Sequence, residues 1–461
     1  MNDYQLIVIG AGPGGYTAAL RAAELGLKTA VVECRETGGT CLNRGCIPVK
    51  TLLHASGMYH SAVCGSGLGI HAEGIYLDLP ELFAYKRQVA ETLGSGIEGM
   101  FKKAKIALLR GKGRILSGNT VEVSGENGAE TYTADRILIA TGSVPVRPPI
   151  PGLDLPGVLT SDELLEGCDH PYRSIVIIGG GVIGVELATF YQELGSEVTV
   201  IEGLDRLLPA ADKELGQNLA MNFKKQGVKI FVNSMVESVE QEGDGLTVRF
   251  TTKGKPDSAS SEVVLCAIGR APYHEGLFSE DLSLEKDGRL LKVDENYETS
   301  VKGIYAIGDA ASRIQLAHVA AAQGTLCVEK ICGVENGMDP DLVPGCIYCH
   351  PEIAFVGLTE TEAKEKGIPV KTGKCVMGGN GRTVIAGAGR CFMKITAHAE
   401  TGEILGGQMM CMNSTDIISE VSVAIANHLT PQQMLLSMRP HPTYEEALSD
   451  ALHDLCARLE R

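Results

Sequence analysis

Gln5-Leu6-Ile7-Val8-Ile9-Gly10-Ala11-Gly12-Pro13-Gly14-Gly15 is the stretch that decides the architecture of this chain. An apolar run of strand length breaks into a glycine turn. A helix-like stretch then runs to Leu25, and a second strand, Thr29–Val32, ends on Glu33. Strand, glycine turn, helix and strand in this order are the grammar of a dinucleotide-binding βαβ unit. Gly10 permits the tight turn, Gly12 lets a pyrophosphate approach the backbone, and Gly15 lets helix pack on strand. The phosphates are expected on the unpaired N–H groups that open the helix.

The same grammar returns downstream. Ser174–Ile178 leads into Gly179-Gly180-Gly181-Val182-Ile183-Gly184, then a helix to Leu194 and a strand Glu197–Ile201 ending on Glu202. Glu33 follows Gly10 by 23 residues, and Glu202 follows Gly179 by the same 23. One such glycine string is weak evidence, whereas two with matched context imply two nucleotide sites, with Gly179, Gly181 and Gly184 in the roles of Gly10, Gly12 and Gly15. The acid closing each second strand is expected to accept hydrogen bonds from ribose hydroxyls and to repel a 2′-phosphate, so Glu202 favours NAD over NADP. A single arginine, Arg206, follows it.

At 461 residues the chain is too long for one core, so three or four domains are expected, with boundaries near 147, 270 and 345. Val144–Pro151 is a proline-rich connection between the two nucleotide units, and from about Gly345 mixed strand and helix patterns run on without further nucleotide motifs. A net charge of −16 sets the average surface field against nucleic acid. The apolar run Leu6–Ala23 is broken by glycines and has no basic flank, which argues against a signal peptide or membrane span and for a cytoplasmic location. The 14 cysteines are then expected as reduced thiols, most of them buried and inert, and any disulfide as catalytic rather than structural.

Gly38-Gly39-Thr40-Cys41-Leu42-Asn43-Arg44-Gly45-Cys46-Ile47-Pro48-Val49-Lys50 is the most informative string. Five residues of regular helix rise about 7.5 Å, beyond the ~7 Å Cα separation that a disulfide spans. A bonded Cys41–Cys46 pair therefore needs a distorted turn, and Gly45 and Asn43 allow one. A small strained loop of this kind is easy to reduce, which suits a catalytic cycle.

This string resembles the active-site signature of the pyridine nucleotide–disulfide oxidoreductases, and the resemblance extends over the whole chain. Thr141-Gly142 after a strand Arg136–Ala140, Ala267-Ile268-Gly269-Arg270, Gly308-Asp309 before Ala310-Ala311, and His441-Pro442-Thr443 are also similar to motifs of that family. The resemblance implies an α/β fold: a Rossmann-like FAD-binding domain with the redox cysteines (1–147), a Rossmann-like NAD-binding domain (148–270), a central domain completing the FAD site (271–345) and an α+β dimer-interface domain (346–461). It implies FAD on Gly10, Gly12, Gly15, Glu33, Thr141, Gly142 and Asp309, the last on the ribityl chain. NAD falls to Gly179, Gly181, Gly184, Glu202 and Gly269. No metal is implied.

The implied mechanism passes electrons through flavin, with Cys46 facing the ring as thiolate and Cys41 exchanging with substrate. Lys50 and Glu186 match the family's ion pair beside the flavin, and a lysine cation there stabilises a neighbouring thiolate. His441, supported by Glu446 and supplied by the partner subunit of a homodimer, matches the acid–base dyad; the adjacent Glu445 is expected to face solvent. Members acting on glutathione usually prefer NADP and often carry tyrosine at the position of Val182, mercuric reductases end in adjacent cysteines where this tail has Cys456 alone, and soluble transhydrogenases lack the cysteine pair. The remaining substrate is dihydrolipoamide, on a separate lipoyl-bearing carrier of a 2-oxoacid dehydrogenase or glycine cleavage system, since no fused lipoyl domain is expected. Another disulfide reductase of the family, or a redox-responsive flavoprotein subunit without turnover, are the alternatives.

Departures from the family pattern are Arg44, Val49 and Arg439, where relatives commonly carry a small apolar residue, serine and histidine. Arg44 is read either as lowering a thiolate pKa or attracting an acidic carrier, or as a solvent-facing side chain. Cys346-Ile347-Tyr348-Cys349-His350 fits a haem-attachment spacing, but Tyr348-Cys349-His350-Pro351-Glu352 also resembles the start of the family's interface-domain strand, which is the reading preferred.

Overall fold

Residues 2–126 and 128–460 are described by a computed structural model. Leu6, Ile7 and Val8 are fully buried because their strand, Tyr4–Ile9, lies inside a sheet covered on both faces. It pairs in parallel with Thr29–Glu33 on one side and Gly128–Ile139 on the other. Ala107–Arg110 extends the sheet beyond Thr29–Glu33, and Ile304–Ala306 joins it beside Ile137–Ile139. The strand expected at 136–140 is thus the end of a twelve-residue strand whose first half pairs antiparallel with Thr120–Gly125.

The second glycine unit builds a separate five-stranded parallel sheet in the order Lys229–Phe231, Glu197–Ile201, Ser174–Ile178, Val263–Cys266, Val158–Thr160. An antiparallel meander, Ser234–Glu242, Gly245–Thr252 and Lys255–Ser261, is inserted between its strands. The C-terminal part is an antiparallel sheet in the order Gly345–Ile347, Ile353–Gly357, Ile404–Met410, Phe392–His398, Val370–Val376. Helix Glu446–Leu459 lies directly on it, burying Ala447, Leu448, Ala451, Leu452 and Leu455 as one stripe. A Cβ on Gly373 would stand 2.2 Å from Ala451 O, so only glycine admits so close an approach. The expected α/β class, with two Rossmann-like sheets and an α+β C-terminal part, is what the chain adopts.

Two expectations are corrected. Val144–Pro151 is not a plain connection: Ser143–Pro145 is a short strand, paired antiparallel with Arg270–Pro272. Of the 14 cysteines, all free thiols, only five are buried, and Cys34 and Cys64 are exposed.

One core cluster matters most for function. It joins Val49 and Leu52 from the cysteine-bearing segment, Val185, Leu187 and Phe190 from the second glycine unit, and Ile347 and Ile353 from the C-terminal sheet. The three parts of the chain share this apolar contact, and the charged side chains described next stand at its edge.

Candidate redox and dinucleotide site

Gly45 interrupts what would otherwise be one helix. Helix Gly39–Arg44 stops before it, helix Cys46–Cys64 begins after it, and Gly45 itself has φ −147° and ψ −111°. The two cysteines thus lie on either side of a break instead of on one regular helix. Asn43 secures the first segment, its Nδ2 donating to Thr37 O at 3.2 Å and Gly39 O at 2.9 Å.

Cys41 and Cys46 are free thiols that act on each other's ionisation. The neighbouring Cys41 thiol, aided by the Lys50 cation and opposed by burial and by Glu186, holds the Cys46 thiol down at about 7. Cys41, beside Cys46 and itself buried, is pushed far above the ordinary thiol range. Cys46 is also the first residue of its helix, where the end of the macrodipole favours an anion. The pair is therefore asymmetric, with one sulfur ready to be a thiolate at neutral pH and the other a thiol.

Lys50 lies one turn beyond Cys46. Its Nζ donates to Glu186 Oε1 at 2.8 Å and Oε2 at 2.7 Å. Glu186, on helix Val182–Glu193, is only 3% exposed and also accepts from Tyr348 N at 3.0 Å. Arg44 bonds Glu36 at 2.8 Å, and Val49 is buried in the shared core. Sequence reasoning missed two companions of this centre. Tyr348 stacks over Lys50, with Nζ 4.6 Å from the ring centroid. Glu193, two turns along from Glu186, binds Ser56 Oγ and His350 Nδ1 at once, and it holds the His350 imidazole above its usual pKa. These contacts join residues more than 130 positions apart and leave no local mark.

The two glycine turns are alike in space as well as in spacing. Gly10 has φ +105°, and a Cβ there would meet Ala140 O at 2.3 Å; Gly179 has φ +111° and would meet Ala267 O at 2.4 Å. A Cβ on Gly15 would stand 1.9 Å from Gly10 O, and one on Gly184 2.0 Å from Gly179 O. The middle glycines differ: the nearest atom to a Cβ on Gly12 is 3.9 Å away, and at Gly181 nothing lies within 4 Å. First and third glycines are thus demanded by the chain itself, whereas the middle ones face space. Each middle glycine caps a helix that has no side-chain cap, leaving its first N–H groups available to a phosphate. The acids tie these turns together. Glu33 accepts from Ala11 N and Arg35 N at 2.8 Å each, and Glu202 from Gly180 N at 2.6 Å and Leu204 N at 2.7 Å. Each carboxylate keeps lone pairs for ribose hydroxyls.

Asp309 lies in a 3₁₀ turn, Gly308–Ala310, and burial raises its carboxyl pKa. Ser143 Oγ donates to it, and Arg270 Nε donates to Ser143 Oγ at 2.8 Å. Thr141 Oγ1 donates to Tyr273 O at 2.6 Å, while Gly142 (φ +71°) and Gly269 (φ +139°) border open space. Glycine cradles, paired acids and a buried carboxylate fit two dinucleotide cofactors.

His441 stands apart from this centre. Its side chain is 79% exposed, Nδ1 lies 2.8 Å from Glu446 Oε1, and Glu446 Oε2 accepts from Thr443 N at 2.9 Å. The histidine, then the Thr443 N–H, hold Glu446 below the usual carboxylate range. Glu445, expected in solvent, is half-buried at the start of helix Glu446–Leu459. Arg439 is buried against Glu420 and Ser449. Cys346 and Cys349 point at separate carbonyls, Thr415 O and Pro351 O.

The family described as pyridine nucleotide-disulphide oxidoreductase matches residues 4–324, and the dimerisation domain of that family matches residues 343–452. The chain is 39% identical to a dihydrolipoyl dehydrogenase of Bacillus subtilis (strain 168), over 98% of this chain and 97% of that protein. Among solved structures it is similar to LpdA from Mycobacterium tuberculosis, with TM-score 0.89 and 27% identity over 97% of this chain and 99% of the other. It is also similar to the Cu(II) complex of the HOCl-induced flavoprotein disulfide reductase RclA from Escherichia coli, with TM-score 0.87 and 26% identity over 98% and 99%.

The contrast between glycines is testable. Gly184→Ala drives a methyl group into backbone, and the thermal melting temperature is expected to fall by about 5 °C. Gly181→Ala is expected to leave melting within a degree or so of wild type while weakening dinucleotide binding in a titration. Equal melting of the two variants contradicts the assignment of packing to one glycine and ligand approach to the other.

Proposed function

The chain belongs to the pyridine nucleotide-disulphide oxidoreductase family, and from that premise we propose that it oxidises protein-bound dihydrolipoamide to lipoamide, with NAD as the final electron acceptor. The observation that carries the reading is the asymmetric Cys41–Cys46 pair with the Lys50–Glu186 ion pair one helical turn beyond Cys46, in a chain that carries two dinucleotide cradles. Likeness to dihydrolipoyl dehydrogenase over nearly the whole of both chains supports the substrate. FAD and NAD(H) are the cofactors. In this proposal FAD lies on Gly10, Gly12, Gly15, Glu33, Lys50, Thr141, Gly142 and Asp309, and NAD on Gly179, Gly181, Gly184, Glu202 and Gly269. The domain limits proposed are 1–147, 148–270, 271–345 and 346–461. Bound flavin supplies the two-electron relay between the cysteines and the nicotinamide.

The protein's own residues do the rest. The cycle begins with Cys41 and Cys46 as a disulfide. One substrate thiol loses its proton to His441 and its sulfur attacks Cys41, releasing Cys46 as the thiolate that Lys50 and its helix terminus stabilise. The second substrate thiol then attacks the mixed disulfide, its sulfur closing the lipoamide disulfide and its proton passing to the departing Cys41. Two electrons have moved from substrate to the cysteine pair. Glu446 holds the imidazole in one tautomer and stabilises its cation. The exposure of His441 and its place in the part matched by the family's dimerisation domain support a homodimer in which this base serves the partner's cysteines. Glu202, placed to repel a 2′-phosphate, supports NAD over NADP. Among the described residues no helix is long and apolar enough to cross a membrane, and a lipoyl-bearing carrier in the cytoplasm is the partner proposed.

Three outcomes are expected. FAD-loaded protein should oxidise dihydrolipoamide faster with NAD than with NADP, and Cys41→Ser or Cys46→Ser should reduce turnover to background. Absence of lipoamide turnover, with reduction of another disulfide in its place, assigns the chain to a different substrate class within the family. His441→Ala and Cys46→Ser subunits, each inactive alone, should regain one working site per heterodimer when dissociated and reassociated together. Proven heterodimers without activity contradict a shared site.

A further inference from the structure

Tyr348 touches both members of the ion pair beside the redox cysteines. Its backbone N–H donates to Glu186 Oε1 at 3.0 Å, and its ring faces Lys50, whose Nζ is 4.6 Å from the centroid. An aromatic face attracts a cation within about 6 Å of its centre. Burial raises the Tyr348 phenol pKa, so the ring is neutral and the contact is cation on ring face, not an ion pair. Lysine is a flexible point charge on a four-carbon stem. Two oxygens of Glu186 on one side fix its distance from that carboxylate, and a ring on another side limits the directions left to it.

The segment that brings the ring is itself anchored. His350, two residues on, bonds Glu193, and Glu193 accepts from Ser56 Oγ. Residues 348 and 350 of the C-terminal part thus grip helix Val182–Glu193 at Glu186 and Glu193. Through Lys50 and Ser56 they also reach helix Cys46–Cys64, which begins with Cys46. Other titratable groups near this point are accounted for: Cys41 acts on Cys46, burial pushes Cys346 up to about 11, and Glu352 accepts from Thr415 N and Oγ1. Asp416 is the remaining acid acting on Cys346.

We propose that Tyr348 is a positioning residue for the redox couple: its ring holds the Lys50 cation in the place from which it acts on Cys46, so that a residue of the C-terminal part sets the reactivity of a cysteine in the N-terminal part. The proposal rests on the reading of Cys46 as the couple's thiolate and of Lys50 as its cation. Tyr348 itself exchanges no electron or proton.

The test uses FAD-loaded protein reduced with dihydrolipoamide. Iodoacetamide labelling of Cys46 is followed across pH by peptide mass spectrometry, which reads the midpoint at which this sulfur becomes reactive. Tyr348→Phe keeps the ring and should keep the wild-type midpoint. Tyr348→Leu should raise it by about half a pH unit, with Tyr348→Met as a second ring-free variant should the first fold poorly. Lys50→Met should raise it at least as far, and adding Tyr348→Leu to Lys50→Met should shift it no further, because the ring then has no cation to hold. A wild-type midpoint in both ring-free variants overturns the proposal, as does a double variant that moves well beyond Lys50→Met. An unmoved midpoint in Lys50→Met alone overturns it at a different step, by removing the reading of Lys50 on which it stands.

Discussion

Glu186 is a carboxylate at 3% exposure, and burying it unpaired would cost several kcal/mol. Lys50 and the Tyr348 N–H are the groups that meet it. That requirement ties together three segments that are distant in sequence: the helix opened by Cys46, the first helix after the second glycine turn, and the edge of the C-terminal sheet. The apolar cluster around Val49, Val185 and Ile353 supplies the adhesion, and the ion pair supplies the register. With the helix so fixed, its first residue is held beside a cation and within reach of Cys41. The asymmetry of the two sulfurs is therefore a consequence of packing as much as of local sequence.

The nucleotide units show the same economy. In each, the acid 23 residues after the first glycine accepts from the N–H that follows that glycine, Ala11 in one and Gly180 in the other. The constant spacing thus has a cause within the protein, since the acid closes the turn that presents the helix N–H groups. Sequence reasoning had assigned these acids only to a ribose. The side chain that would discriminate between coenzymes is also one that holds the turn together, so replacing Glu202 changes both.

Much of the fold was legible. Strand runs such as Leu6–Ile9 and Ile175–Ile178, each followed by a glycine turn, carry enough local pattern to specify two parallel sheets. Gly45 and Asn43, read as permitting a distorted turn between the cysteines, flank the point where the helix breaks. Long-range pairing was not legible. Ser143–Pro145 looked like part of a proline-rich linker because its partner strand, Arg270–Pro272, lies about 127 positions away and fixes it by hydrogen bonds that no local composition signals. Tyr348, Glu193 and Ser56 were overlooked for the same reason: each is ordinary in its own segment and acquires a role only through contacts with another. Arg44 drew attention by standing between the two sulfurs, yet its guanidinium is taken up by Glu36.

Which sulfur of the reduced couple ionises first decides the chemistry of this centre. The most direct measurement is a pH titration of the reduced, FAD-loaded protein in which the labelling rates of Cys41 and Cys46 are read separately. Cys46 should become reactive with a midpoint near 7, its labelling falling as pH drops below that value, while Cys41 stays protonated and slow throughout the neutral range. Ionisation of Cys41 first, or a shared midpoint near the ordinary thiol value, would contradict the Lys50 cation and the helix start as sources of the asymmetry.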